Sequence, residues 1–473
     1  MHDYQMLING VAVSGEQGGF DVINPATGRA FARCPAGSLA QLDLAVDAAQ
    51  AAFSEWRHST HEDRRERLLG IAADIEAQAD ALARLIVQEQ GKPLALALFE
   101  VMGAVAWTRY IAEQQIPVER VEETPTQRIE LHRKPLGVVA SITPWNWPFM
   151  IAIWHIMPAL RAGNCVISKP SSLTPLSTLS LVHIIARHVP KGVINVVTGE
   201  QGFGSAITSH AGIHKIVFTG STATGQSVMR GAASNLKRLT LELGGNDAAI
   251  VLPGTPVEAV AEDIFQAAFL NMGQTCAALK RLYIHESQYE AFADALVRIA
   301  ARQVVGDGLE PEVTFGPVQN LEQLELVEAL VADARAHGGR VLCGGARLDR
   351  PGFFYPPTLV ADVTDGHRLV DEEQFGPVLP LIAYQDVEDV LRRANASDMG
   401  LGGSVWGSDL AQAQALASRL ESGVAWVNCH AQIQPNTPFG GSKMSGFGVE
   451  FGLEGLLEFT GQQLLFVRTR ETE

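Results

Sequence analysis

The sequence predicts an α/β protein with a doubly wound parallel sheet in its first lobe and a second α/β lobe after it. The chain has 473 residues, more than one hydrophobic core ordinarily supports, so we expect two or three lobes. Its 47% hydrophobic and 19% charged residues lie near the globular average. From residue 136 onward, short β-branched runs alternate with helical stretches, a pattern typical of parallel strands joined by crossover helices.

The region before residue 118 is predicted to be mainly helical. Two amphipathic stretches, 42–56 and 64–90, have apolar residues at helical spacing, and Gly-Lys-Pro-Leu ends the second. We expect both to be surface helices of the first lobe.

Strands and helices are predicted to alternate between residues 136 and 245. Each strand is bounded by Gly or Pro, and ligands of such a sheet bind at the carboxyl ends of its strands. After residue 244 the alternation continues less regularly into the second lobe. The predicted strands of the first sheet are GVVASITP, NCVISKP, INVVTG, KIVFTG and RLTLELGG, and its helices are WPFMIAIWHIMPAL, LTPLSTLSLVHIIARHV and TGQSVMRGAASNLKR.

Charge and cysteine content argue against several classes of protein. The formal net charge of -16 would repel phosphate backbones, so nucleic acid is not an expected partner. The five cysteines are scattered without a CxxC pair, so we expect a reducing cytoplasm and neither a disulfide framework nor a metal site. The N-terminal segment lacks a signal-peptide pattern, and no run approaches the roughly 18 apolar residues of a membrane span, so no membrane partner is expected.

Two glycine-containing segments are candidates for a dinucleotide loop. Gly202-Phe-Gly204 lacks the third glycine of the GxGxxG pattern, and a partial match is a weak signal. In KIVFTGSTATGQSVM, a β-branched strand leads directly into Gly220-Ser221 and a helix follows at once. The free N–H groups of such a helix start suit a pyrophosphate, although a serine there is also an ordinary N-cap.

Four polar residues together supply the groups needed for covalent chemistry on a carbonyl. Cys276 in GQTC is a candidate nucleophile, although most free cysteines are buried packing residues. Asn146 in TPWNWP has a side-chain N–H that can stabilise an oxyanion, and Glu242 in LELGGN can act as a general base. Lys169 in ISKPSS is the fourth. Taken singly, the last three have ordinary roles in a turn, a salt bridge and the surface.

Motifs along essentially the whole chain resemble the aldehyde dehydrogenase superfamily. Their joint occurrence in this order is far more specific than any one of them. Cys276 matches the nucleophile of that family, whereas the other four cysteines match no functional position. The motifs are INPATG, TPWNWP, KPSSLTP, FTGSTATG, LELGGN, GQTC, EEQFGPV and NTPFGGSKMSGFG, and the four other cysteines are Cys34, Cys165, Cys343 and Cys429.

The resemblance implies an aldehyde dehydrogenase of the hydrolytic, NAD(P)-dependent type. The Cys276 thiolate would attack the aldehyde, and the Asn146 side chain with the Cys276 N–H would stabilise the alkoxide. After hydride transfer to NAD or NADP, Glu242 would activate the water that hydrolyses the thioester to a carboxylic acid.

The resemblance also implies a set of cofactor contacts. Lys169 would bind the adenosine ribose, and Ser221 with Trp145 would lie at the pyrophosphate. Glu373 would bind the nicotinamide ribose with Phe375 beside it, and packing in the core is the less favoured explanation of Phe375. Further expected contacts are Thr143, Ser172, Gly220 and Leu243.

The domain boundaries follow from the same resemblance. A Rossmann-like dinucleotide-binding domain would comprise 1–117 and 135–244, and an α/β catalytic domain 245–444. The polar, alternating segments 118–134 and 456–473 would form a small β extension. Because long exposed strands must be paired, we expect this extension to be the oligomerisation surface of a homodimer or homotetramer.

Two positions depart from the family pattern. Ser172 stands where many relatives have an acidic residue that would repel the 2′-phosphate of NADP, so NADP is admissible as well as NAD. Val449 stands where relatives often have arginine, which leaves the orientation of Glu450 and a role for it in proton transfer open.

The substrate is expected to be a neutral aromatic or medium-length aliphatic aldehyde. Alignment with the family places Trp147, Ile151, Trp154 and the segment 430–436 along its tunnel. Three rival functions remain. A coenzyme-A-acylating relative is disfavoured by the presence of Glu242, and a cysteine hydrolase is disfavoured because this sequence has no histidine motif to pair with Cys276. The third is an inactive homologue that is kept for binding.

Overall fold

A computed structural model describes residues 4–200 and 202–468 of the chain. Its N-terminal part combines short strands with four long helices. A capping box at Ser38 begins the first of these helices, α1. The strands are β1 (Met6–Ile8), β2 (Val11–Val13), β3 (Gly19–Asn24), β4 (Arg29–Pro35), β5 (Glu119–Thr124) and β6 (Gln127–Pro135). The helices are α1 (Leu39–Trp56), α2 (His61–Ala77), α3 (Ala79–Gln90) and α4 (Leu94–Glu113).

The prediction of one helix over 64–90 is wrong, because this stretch forms α2 and α3. Gln78 separates them with φ of -112°, outside the helical range, in a position that no Gly or Pro marks. Helix α4 is absent from the sequence-based prediction, since its almost continuous apolar run hides the helical period. By length and composition α4 could cross a membrane, and it packs against α2 and α3.

The predicted alternation of strands and helices in the first sheet is confirmed. Parallel pairing aligns Ile142 with Lys169 and Thr219 with Glu242, so these strands end at one edge. The strands are β7 (Val138–Ile142), β8 (Cys165–Lys169), β9 (Ile194–Val196), β10 (Lys215–Thr219) and β11 (Arg238–Glu242). The helices are α5 (Pro148–Arg161), α6 (Leu176–Ile185), α7 (Phe203–Ser209) and α8 (Thr222–Ala232).

The second lobe contains a further sheet and its covering helices. The strands of this lobe, of which all but β17 belong to that sheet, are β12 (Asp247–Val251), β13 (Leu279–His285), β14 (Arg340–Cys343), β15 (Thr358–Ala361), β16 (Val378–Tyr384), β17 (Met399–Gly400), β18 (Gly402–Trp406) and β19 (Val424–Val427). Its helices are α9 (Val257–Phe269), α10 (Tyr289–Ala300), α11 (Leu321–Ala336), α12 (Arg368–Asp371), α13 (Val387–Asn395) and α14 (Leu410–Ala417). The chain continues through β20 (Ser442–Lys443), β21 (Gly446–Phe447), α15 (Gly452–Leu457) and β22 (Thr460–Arg468).

The first sheet has the strand order β2-β1-β9-β8-β7-β10-β11-β21. Its five central strands are parallel, and their order reverses between β7 and β10, which makes that position the switch point where ligands of doubly wound sheets bind. The edges are antiparallel: β1 pairs with β9, and β21 pairs with β11. These edge strands come from distant parts of the chain and are absent from the sequence-based prediction.

The second sheet has the order β14-β15-β16-β13-β12-β18-β19 and is buried on both faces. Along β12, Ala248 and Ile250 belong to one apolar core, whereas Ala249 and Val251 belong to another on the opposite face. Helices therefore cover both sides, as a mostly parallel sheet requires.

The predicted exposed hairpin and the C-terminal segment form one three-stranded sheet in the order β22-β6-β5. The pairing runs from Thr460 opposite Pro135 to Arg468 opposite Gln127. Residues 1–3 and 469–473, which belong to two of the predicted domains, lie outside the described residues. The domain boundaries themselves stay a prediction.

Candidate active site

The candidate residues of the first lobe gather where its parallel strands end. The loop after β7 contains Asn146, the loop after β8 contains Ser172, and the turn after β10 contains Ser221. Glu242 is the last residue of β11. The sheet register therefore brings together groups that are far apart in sequence.

Two adjoining cavities lie at this edge of the sheet. The inner cavity, of about 260 Å³, reaches the second lobe, and the outer cleft, of about 450 Å³, lies along the first lobe. Trp145, Gly220 and Ser221 line both. Predicted residues that line only the inner cavity are Asn146, Leu243, Cys276, Glu373 and Phe375, and those that line only the outer cleft are Thr143, Lys169 and Ser172.

The loop that precedes Cys276 is held across the two lobes. The Asn146 Nδ2 group donates to the main-chain oxygen of Gln274 over 3.0 Å, and the Trp147 indole donates to Thr275 Oγ1, also over 3.0 Å. Asn271 has φ of 53°, and its side chain donates to the Asn146 oxygen over 2.9 Å. A positive φ in a non-glycine residue is strained, so this loop conformation depends on its contacts with the first lobe.

The electrostatic surroundings of Cys276 favour a neutral thiol. Desolvation raises the pKa of Cys276, and the negative charges of Glu242, Asp247 and Glu373 raise it further. The Ala277 N–H acts in the opposite direction. The sulfur therefore needs a proton acceptor or a nearby positive charge before it can act as a nucleophile.

Glu242 lies behind the inner cavity rather than in its lining. The side chain is only 4% exposed, and neither of its oxygens has a hydrogen-bond partner among the described residues. Burial raises the pKa of Glu242 well above its ordinary value, and the nearby charge of Glu450 raises it further. The Glu450 Oε1 atom lies 3.3 Å from the Nε2 atom of the buried His155. Two buried carboxyl groups thus lie close together.

The outer cleft has the features expected of a nucleotide site. The Thr143 hydroxyl is buried without a hydrogen-bond partner among the described residues, and Lys169 lines the cleft, where desolvation lowers the pKa of its ammonium group. Ser221 is the N-cap of α8 and accepts a 3.3 Å hydrogen bond from the Thr224 N–H. Ser221 therefore caps α8, and the start of α8 also borders the cleft, where it could bind a pyrophosphate. These residues fit a nicotinamide dinucleotide.

The loop containing Glu373 and Phe375 closes the inner cavity. Glu373 accepts a 2.9 Å hydrogen bond from the Gly245 N–H, and desolvation raises the pKa of its carboxyl to about 7. A Cβ atom on Gly244 would come within 2.5 Å of the Glu373 Oε2 atom, so glycine at this position lets the carboxylate lie where it does. Phe375 packs edge-on against Trp145 at 5.3 Å, which places its ring in the cavity wall rather than in a core.

Aromatic side chains surround the other side of Cys276. Trp154, predicted for the substrate tunnel, lies 5.7 Å from Trp107 and 4.8 Å from Phe451, measured between ring centroids. Trp107 and Phe451 are absent from the sequence-based prediction. Cys276 and Ile433, from the predicted segment 430–436, pack against the same apolar cluster.

The other expected tunnel residues are enclosed. Trp147 is 7% exposed with its indole N–H bonded to Thr275, and Ile151 is 1% exposed. Among the remaining cysteines, burial raises the pKa of Cys34 and of Cys165 to about 12, so these thiols are inert.

Besides Trp107 and Phe451, sequence reasoning missed two further groups of residues at this site. Gly202 and Gly204, set aside as a partial fingerprint, line the outer cleft together with Ser205. Their Gly-x-Gly spacing was the available signal. The second is Lys92, which donates a 2.9 Å hydrogen bond to the Asn146 main-chain oxygen. Its only sequence signal is its place in the Gly-Lys-Pro segment after the predicted end of a helix.

Known proteins resemble this chain over almost its whole length. The model of the aldehyde dehydrogenase family matches residues 12–465. A Pseudomonas sp protein named "Probable aldehyde dehydrogenase" is 42% identical over 452 residues, which cover 94% of this chain and 91% of that protein. The NAD+ complex of an aldehyde dehydrogenase from Bacillus cereus has 34% identity and a TM-score of 0.97, covering 99% of this chain and 97% of that chain. An E. coli NADP-dependent enzyme has 35% identity and a TM-score of 0.96, covering 98% of each chain.

These similarities show an oxidoreductase that acts on aldehydes. The chain belongs to the aldehyde dehydrogenase family.

Proposed function

We propose that this protein oxidises an aldehyde to a carboxylic acid with NAD or NADP, through a covalent acyl-enzyme on Cys276. The observation that supports this most directly is the shared cavity of Cys276, Asn146 and Glu373. A nucleophile, an oxyanion donor and a cofactor contact thereby face the same space.

The first step joins the Cys276 sulfur to the aldehyde carbon. The thiol gives its proton to solvent water, the sulfur bonds to the carbon, and the carbonyl π electrons move to the oxygen. The Asn146 amide has two N–H bonds, one of which is fixed on the Gln274 oxygen over 3.0 Å. The second remains for the developing alkoxide, together with the Cys276 main-chain N–H.

The second step is the oxidation itself. When bound, the nicotinamide ring supplies the hydride acceptor. The alkoxide electrons re-form the carbonyl as the hydride leaves, so that a thioester remains on Cys276. Glu373, held by the Gly245 N–H, orients the ribose at this end of the cleft.

The third step is hydrolysis of the thioester. Glu242 in its carboxylate form takes a proton from water, the hydroxyl oxygen bonds to the acyl carbon, and the thiolate leaves. The oxygens of Glu242 have no other hydrogen-bond partner among the described residues, which leaves them available for a water molecule.

The substrate in this proposal is a neutral aromatic or medium-length aliphatic aldehyde. The rings of Trp107, Trp154 and Phe451 meet at centroid distances of 4.8 to 5.7 Å beside the cluster that Cys276 contacts. Tilted and edge-on aromatic contacts of this kind favour a flat apolar group over a charged one.

The proposal includes a homodimer or homotetramer in the cytoplasm. The sheet of β22, β6 and β5 exposes Val121, Leu464 and Phe466, with 60%, 55% and 63% of their surfaces accessible. A surface of this kind favours a second copy as partner. The five free cysteines agree with a reducing compartment.

The test of the function is an aldehyde panel with reduced-nicotinamide absorbance as the readout. Wild type, Cys276→Ala and the matched control Cys343→Ala are each given NAD or NADP with aromatic, aliphatic and charged aldehydes. Turnover in wild type and the control, with none in Cys276→Ala, is the expected result. Turnover that needs added coenzyme A would contradict the hydrolytic role of Glu242.

A further inference from the structure

A buried ion pair lies directly behind the loop that contains Asn146. Lys92 and Glu100 are both fully buried, and the Lys92 Nζ atom lies 2.6 Å from the Glu100 Oε2 atom. Neither residue lines the inner cavity or the outer cleft. The pair therefore does not meet the substrate or the cofactor directly.

Apart from the bond that joins them, the side-chain hydrogen bonds of this pair go to the turn between β7 and α5 and to the first turn of α5. The Lys92 ammonium donates to the Asn146 main-chain oxygen over 2.9 Å and lies 3.6 Å from the centroid of the Trp147 ring. The Glu100 Oε1 atom accepts the N–H groups of Phe149 and Met150 over 3.0 and 3.1 Å. The ion pair thus contacts residues on both sides of Pro148.

The carboxylate of Glu100 also replaces a missing helix cap. Helix α5 begins at Pro148 after Trp147, and Trp147 forms no side-chain cap bond. Two otherwise free N–H groups in the first turn are bound by Glu100 instead, at the positive end of the helix dipole.

Stability alone is a poor explanation for such a pair. Removing two charges from water is costly, and well-packed apolar residues of similar volume often serve stability equally well. What an apolar pair cannot supply is directed hydrogen bonding to the Asn146 oxygen and the α5 N–H groups.

We propose that the Lys92–Glu100 pair is a positioning device that sets the direction of the Asn146 side-chain amide. Lys92 fixes the Asn146 carbonyl, to which Asn271 also donates over 2.9 Å, and Glu100 fixes the helix start that follows. The amide is thereby aimed at Gln274 and the nucleophile loop. The catalytic consequence rests on the proposed oxyanion role of Asn146.

The test combines the kinetics of Lys92→Met and Glu100→Gln with a double-mutant cycle on Asn146→Ala. We expect Lys92→Met to lower kcat by roughly 10- to 100-fold with KM for the cofactor unchanged, because a small misplacement of a catalytic group has effects of that size. In a protein that already has Asn146→Ala, adding Lys92→Met should lower kcat by less than about twofold. The two changes are not additive if Lys92 acts only through the Asn146 amide. Glu100→Gln, which keeps the side-chain volume, tests the same proposal if Lys92→Met does not fold.

The matched control is Lys215→Met. Lys215 is also a buried lysine of the first lobe, bonded to Thr240 over 2.7 Å and paired with Glu458, away from this turn. Its replacement should leave kcat within about twofold of wild type, because it has no contact with Asn146. Additive effects in the cycle, or a kcat of Lys92→Met equal to that of the control, would overturn the proposal.

A crystal structure of Lys92→Met separates this inference from the proposed function. We expect the Asn146 amide to leave the Gln274 oxygen. An amide that keeps its 3.0 Å contact overturns the positioning role whatever the enzyme oxidises. If wild type oxidises no aldehyde while the amide moves, the proposed function fails and the positioning role stands.

Discussion

The side chain of Asn146 reaches across the two lobes and donates a 3.0 Å hydrogen bond to the main-chain oxygen of Gln274, two residues before Cys276. This bond uses one N–H of the amide and fixes the direction of the other. In the proposed mechanism, the first lobe therefore supplies the oxyanion donor and the second lobe the nucleophile, and the relative position of the lobes sets the reactive geometry.

Replacing Asn146 tests the oxyanion role. We expect Asn146→Ala to lower kcat/KM by roughly 100- to 1,000-fold, the usual effect of losing one oxyanion donor. Steady-state oxidation of the best aldehyde is the measurement, with the exposed Asn235→Ala as the matched control. A loss below about tenfold would show that the main-chain N–H alone stabilises the alkoxide.

The buried carboxyl pair makes a prediction about pH. Because burial and Glu450 raise the pKa of Glu242, the carboxylate that acts as a base becomes populated only as the pH rises through that raised value. Deacylation should therefore speed up toward alkaline pH. In Glu450→Gln one negative charge is gone, so the rising limb should move to lower pH. Stopped-flow measurement of the step after the nicotinamide burst gives both profiles, and an unmoved limb would show that Glu450 does not influence Glu242.

Glu373 makes a separate prediction for the cofactor. Its pKa of about 7 means that the carboxylate is progressively lost as the pH falls through 7, so KM for the cofactor should rise there in wild type. Glu373→Gln should raise that KM by about tenfold at pH 8, since hydrogen bonds to charged groups are the stronger ones, and should remove its pH dependence. The adjacent exposed Glu372→Gln is the control, and identical KM profiles in all three proteins would remove Glu373 from the cofactor site.

Trp107 tests the substrate class. Its ring contacts Trp154 and Phe451, and an aromatic substrate that packs against it would gain about 1 kcal/mol, or roughly fivefold in kcat/KM. Trp107→Ala should lose that factor with benzaldehyde and far less with acetaldehyde. Phe99→Ala, on the exposed side of the same helix, is the control. An equal loss with both aldehydes would mean that Trp107 supports the fold rather than the substrate.

The parallel strands could be predicted because their β-branched runs end at Gly or Pro. Once the strands are aligned in parallel, the register itself brings Asn146, Lys169, Ser221 and Glu242 to one edge. The sequence therefore contained most of the candidate site in the first lobe. It also placed Cys276, through the motif around it.

Other features depend on long-range contacts that no local pattern encodes. The break at Gln78 has no Gly or Pro to mark it, and β21 reaches β11 from about two hundred residues away in the chain. Lys92 and Glu100 are ordinary charged residues in sequence, and only packing puts them behind Asn146. Trp107 likewise meets Trp154 through the packing of α4 on α5.

The covalent acyl-enzyme on Cys276 is the central claim, and Glu242→Gln gives its most direct test. Without the base, the thioester should accumulate when this variant is mixed with an aldehyde and NAD. Intact-protein mass measurement followed by peptide mapping should then find one acyl group per chain, on the peptide containing Cys276. An unmodified protein after nicotinamide reduction, or an acyl group on another residue, would contradict the account.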